Sequence, residues 1–204
     1  MSFIASLSAA VIPMSLYLIL IWRLDRYEME PFGKVIKHFL WGAVGAVIFG
    51  LIISSILAFG TNLFISSVSL KSFIAAVIIA PFAEELVKSA YLFNTYKNNY
   101  FDNLTDGLVY GGAIGLGFGM TENLMYFSIY NETFSQWITI VITRSVFSAV
   151  MHGIATATVG AFLAKAKFSL TGNKSKYPIM GLGLAMFFHA MWNFSLTFEF
   201  TYLI

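Results

Sequence analysis

APFAEELVKSAY, residues 80–91, sets Glu84, Glu85 and Lys88 inside an otherwise apolar segment running from about residue 70 to 93. A charge at the centre of a membrane helix costs roughly 2.5 to 3.5 kcal/mol on insertion scales, so three within five residues need an explanation. Either they neutralise one another or they do chemistry. Helical spacing lets the Lys88 ammonium serve Glu84 at i,i+4 and Glu85 at i,i+3. The two adjacent carboxylates point about 100° apart, so only one of them faces a reacting centre directly.

Outward from this stretch, the chain reads as membrane throughout. Of its 204 residues 58% are hydrophobic and 11% charged, a balance that excludes an ordinary soluble domain. Cysteine is absent, which excludes disulfides and thiolate chemistry, and no basic stripe points to nucleic acid. About 20 apolar residues cross the hydrocarbon core as a helix. Six such stretches occur, at residues 3–22, 39–59, 70–93, 104–130, 136–164 and 177–203. The first lacks a basic leader and a small-residue cleavage site, and it reads as a retained span. The fold expected is an all-α, polytopic transmembrane bundle forming a single domain over residues 1–204.

Orientation follows from lysine and arginine, which concentrate in cytoplasmic loops. The connections after spans one, three and five hold Arg23, Arg26, Lys34, Lys37, Lys97, Lys165, Lys167, Lys174 and Lys176, whereas the opposite connections hold only Lys71. Both termini are therefore expected outside the cytoplasm. The halves share no matched pair of broken helices, which weakens an inverted-repeat transporter. Gly111, Gly115 and Gly119 recur every four residues on span four, a face that lets another helix approach closely.

Other spans carry polar groups that match the trio. Glu122 and Tyr126 lie at i,i+4 on the fourth; Arg144, Ser148 and His152 follow one face of the fifth; His189 and Asn193 form an i,i+4 pair on the sixth. Any one of these could be an interhelical hydrogen bond, but together they predict one buried, hydrated cluster. Carboxylates and imidazoles activate water near neutral pH, as general bases or as ligands to a metal. Neither a G-x-S-x-G nor an H-E-x-x-H element is present, so metal ligands would have to come from separate helices. Glu84 or Glu85 with His152 and His189 would make an acceptable Zn2+ set.

These elements carry a resemblance. The connection DRYEMEP after span one, EELVK in span three, DGLVYGGAIGLGFGMTEN leading into MYF in span four, Arg144-x7-His152 in span five and FHAMWNF in span six are similar to the PrsW family of intramembrane proteases. That family lies within the wider group of CAAX-prenyl endopeptidases and Abi-type immunity proteins. The resemblance implies catalytic positions at Glu84, Glu85, Glu122, His152, His189 and Asn193. In it Glu84 activates water, His152 and His189 complete the site and Asn193 helps stabilise the oxyanion. Glu122, followed by Asn123, stands for a ligand, a second base or a structural group, and Lys88, Asn123 and Arg144 support. The implied enzyme is a multi-pass protease of the bacterial plasma membrane, with or without a divalent metal such as Zn2+. Its implied partner is a single-span, anti-sigma-factor-like protein cut first in a stress response. Two other classes compete on residues alone, an ion- or proton-coupled transporter using the same Glu/His relay and a non-catalytic immunity or scaffold protein.

Overall fold

A computed structural model describes residues 1–25, 28–170 and 174–202, without the side chains of 198–202. Arg26 and Tyr27 of the first connection and the final residues of span six lie outside the described residues. Among the described residues the fold is all helix. Six continuous rods run at Phe3–Leu24 (α1), Phe32–Thr61 (α2), 68–95 (α3), Leu104–Ile129 (α4), Phe134–Phe168 (α5) and Lys176–Tyr202 (α6). They coincide with the six expected stretches. The main difference is α2, which begins directly after Pro31, a residue that fits a helix start because it has no N–H to leave unsatisfied.

Four rods, α1, α2, α5 and α6, are apolar enough on length and composition alone to cross a membrane. The other two are as long but are interrupted by charge or glycine. α3 carries Lys71, Glu84, Glu85 and Lys88, and α4 is rich in glycine and holds Asp106 and Glu122. Outward faces bear exposed Ile52, Ile56, Phe147, Ile154 and Phe187, as a lipid-facing surface requires.

The glycines of α4 explain how the polar residues come together. A Cβ at Gly115 would lie 2.1 Å from the His152 carbonyl oxygen, and one at Gly107 2.3 Å from that of Gly160. Only glycine allows the α4 and α5 backbones to meet this closely, and the expected close-packing face is therefore present.

Three rods contain a turn of π-helix, at Trp41–Ala46 in α2, Ala75–Ile79 in α3 and Arg144–Ser148 in α5. Such turns cluster at functional sites. The one in α3 has a readable cause. Ala80 N–H bonds back five residues to Ala75, and in that register the next donor, owed to Ala76, falls on Pro81, which has no N–H. The Ala76 carbonyl is instead taken by Asn193 Nδ2 of α6 at 2.8 Å. Pro81 thus produces a cross-brace between α3 and α6.

Candidate active site

The structure brings the polar residues of four rods into one cluster. Glu85 is fully buried. Its Oε1 accepts from Lys88 Nζ at 2.8 Å and lies 3.0 Å from His189 Nδ1, and its Oε2 accepts from Thr156 at 3.3 Å. Three of about four lone-pair directions of this carboxylate are occupied, as burying a charge demands partners. Lys88, also fully buried, reaches His152 Nδ1 at 3.0 Å and sits 3.8 Å above the Phe118 ring.

An ammonium can only donate, so His152 Nδ1 accepts and its proton is on Nε2, 2.7 Å from Glu122 Oε2. Glu122 also takes Arg144 Nη2 at 2.8 Å. Arg144 Nε donates to Asn123 Oδ1 at 3.1 Å, and the guanidinium covers the Tyr126 ring at 3.6 Å. By the same reasoning His189 Nδ1 donates to the Glu85 carboxylate, and its Nε2 lone pair turns toward Glu84 Oε2, 3.8 Å away. The two imidazoles meet edge to face at 4.7 Å.

Glu84 differs from its neighbour. It is partly exposed, 3.6 Å from Lys88, and its Oε2 accepts no hydrogen bond. It lines a cavity of about 650 Å³ with Glu122, Arg144, Ser148, His152 and Asn193. The 100° separation of the glutamate pair is therefore resolved: Glu84 faces the cavity and Glu85 faces the helix interface. Asn193 is present at the wall, one amide N–H already engaged by Ala76. Asn123 is buried behind Arg144 and does not line the cavity.

The cavity is also lined by Ser72, Tyr126, Tyr130, Ile140 and Thr197. These residues mark the start of α3 and α5 and the end of α4 and α6. It is the end of the bundle that holds the N-terminus, where the Met1 amino group donates to Asn131 at 3.0 Å.

Glu84, His152 and His189 each offer a ligand atom, all within 4.8 Å of one another. Two imidazoles and one carboxylate are the donor types of a catalytic zinc set, and His152, whose Nδ1 is held by Lys88, would join such a set by giving up the Nε2 proton it donates to Glu122. The fit has a second support in His189, whose far nitrogen is held by the Glu85 carboxylate, the outer-shell arrangement typical of metal-bound histidine. Glu85 accepts three hydrogen bonds and lies outside this group.

Two contributors were not singled out from sequence. Thr156 and Phe118 lie one turn from His152 and Glu122 on the same faces, and that spacing was the available signal.

A family model described as PrsW family intramembrane metalloprotease matches residues 30–204. The chain belongs to the PrsW family. It is 31% identical over 199 residues to the protease PrsW of Clostridioides difficile, covering 96% of this chain and 80% of that protein. To the PrsW proteases of Bacillus subtilis and Geobacillus kaustophilus it is 26% identical, over 95% and 89% of this chain and 83% and 75% of theirs. No solved structure matches the chain significantly. As a PrsW-family protein it is a membrane-embedded hydrolase that takes a protein substrate.

Proposed function

We propose that this PrsW-family protease cuts a peptide bond in a single-span, anti-sigma-factor-like membrane protein, from outside the cytoplasm, by water activated at Glu84. The observation that carries the reading is the cavity that joins Glu84, Glu122 and His152 to the N-terminal end of the bundle. The basic residues favour placing that end outside the cytoplasm, with all six rods crossing the bacterial plasma membrane and residues 1–204 acting as one domain. Glu84 lies about 18 Å along α3 from Ser72, so a substrate reaches it by entering an open funnel rather than by crossing lipid.

Glu84 takes the proton of the attacking water as the water oxygen bonds to the scissile carbonyl carbon, and returns it to the leaving nitrogen as the C–N bond breaks. The free N–H of Asn193 donates to the developing oxyanion. Glu85 and Lys88 fix the two imidazoles, Glu85 through His189 and Lys88 through His152. Glu122, held by Arg144, keeps His152 facing the cavity. Glu84, His152 and His189 would hold a divalent ion such as Zn2+, which when bound lowers the pKa of water and polarises a carbonyl. A carboxylate has two oxygens, so Glu84 can face an ion and a water at once.

The test uses purified protein in liposomes with a single-span reporter whose flank lies either outside or inside. His189→Ala should abolish cleavage of the outside flank seen with wild type. Equal cutting of inside flanks, or proton flux without proteolysis, would overturn the reading.

A further inference from the structure

A second concavity lies away from the active site, between α1, α4 and α5. It is a groove of about 440 Å³ with walls of Leu20, Ile21 and Val150 and a floor that includes Gly112, Gly153 and Ala157. Its lining is apolar along most of its length. At one end it meets Asp25, the residue that caps α1. Asp25 is 5% exposed, and its Oδ2 has no hydrogen-bond partner among the described residues. A buried carboxylate oxygen without a donor is costly, and one at the end of an apolar trough is placed to receive a cation from whatever fills it.

The dimensions choose between occupants. Along α4 the lining runs from Thr105 to Leu116, about 16 Å at 1.5 Å per residue, and an empty volume of about 1010 Å³ over that length gives a mean cross-section of at most roughly 63 Å². A helix with its side chains, about 10 Å across, needs roughly 79 Å². A polymethylene chain, about 4 Å wide at carbon contact distance, fits. The end marked by Asp25 is the one opposite the N-terminus. A buried, unpartnered carboxylate oxygen at the end of an acyl-sized groove complements the primary amine of an amphiphile.

We propose that this groove binds one acyl chain of phosphatidylethanolamine from the cytoplasmic leaflet, with its ammonium on Asp25. The ammonium supplies the N–H donor that Oδ2 lacks. A choline headgroup carries the same charge but no N–H, and a glycerol headgroup carries no cation, so both are discriminated against. The site is separate from the catalytic cavity, with which it shares no lining residue.

The experiment is native mass spectrometry of the full chain, with phosphatidylethanolamine, phosphatidylcholine and phosphatidylglycerol of identical acyl chains added in competition. Phosphatidylethanolamine should be retained about tenfold or more over either competitor, the discrimination a charge-assisted hydrogen bond gives. Asp25→Asn should remove the preference, and Ala157→Phe, which fills the floor, should remove retention of all three. The wild-type competition stands alone if either variant fails to fold. Equal retention of the three headgroups, an undiminished preference in Asp25→Asn, or a photo-crosslinker at Leu20 that captures a protein helix instead of lipid would each overturn the proposal.

Discussion

Gly115→Ala tests whether the helix contact that carries His152 sets catalytic geometry. The added Cβ would lie 2.1 Å from the His152 carbonyl oxygen, 2.5 Å from its carbon and 2.7 Å from Gly153 Cα. Ordinary contact begins at 3.4 Å, so the shortfall is about 1.3 Å, and every obstructing atom is α5 backbone that cannot rotate away. α5 must retreat by about that amount. His152 travels with it, and its 2.7 Å and 3.0 Å contacts to Glu122 and Lys88 stretch beyond hydrogen-bonding range. A misplacement of about 1 Å costs on the order of 10²-fold in rate, while overpacking costs about 1–3 kcal/mol of stability, which the bundle can tolerate. At Gly119 the nearest atom is 3.0 Å away, and at Gly183 nothing lies within 4 Å. Cleavage of a reporter in liposomes should therefore fall on the order of 10²-fold in Gly115→Ala, a few-fold in Gly119→Ala and not at all in Gly183→Ala. Thermal unfolding in detergent should show all three folded. A wild-type rate for Gly115→Ala, or equal losses across the series, would refute the reasoning.

Breaking the buried Glu85–Lys88 pair with Lys88→Met or Glu85→Gln alone should cost about 3–5 kcal/mol in detergent unfolding, and the double variant much less than the sum; additive costs would contradict the pairing. Burial raises the Glu30 carboxyl in the first connection from 4.5 to about 7, opposed by the hydrogen bond from Tyr110. Between those values the folded chain holds a proton that the unfolded chain has lost, so stability should fall as pH rises through this window and level off above it, and Glu30→Gln should remove the slope. Purified protein should hold about one divalent ion per chain, lost together with activity on chelation and absent from His189→Ala; a metal-free wild type that cleaves at full rate would remove the ion from the mechanism.

The helices were legible because long apolar stretches announce themselves, and the ends of α4 and α6 fell within a residue of expectation. The glycine face of α4 was legible for a similar reason, since a four-residue repeat of the smallest side chain has few uses other than close approach. What spacing could not show was direction across helices. Glu84 and Glu85 are adjacent, and only the positions of His189, Thr156 and Lys88 decide that Glu85 is enclosed and Glu84 is open. The π-turns were hidden because no residue type encodes them, although Pro81 within α3 marked where a backbone donor would be missing. Two rods also fall short as spans on length and composition alone. The charges and glycines that build the site are what lower α3 and α4 by that measure.

The most direct measurement is the rate of reporter cleavage by Glu84→Gln beside wild type, with matched folding and matched metal content. The substitution keeps the shape and removes the base. The account predicts a loss on the order of 10² to 10⁴-fold, the range of a positioned general base. An undiminished rate would contradict it and move the chemistry away from the carboxylate that faces the cavity.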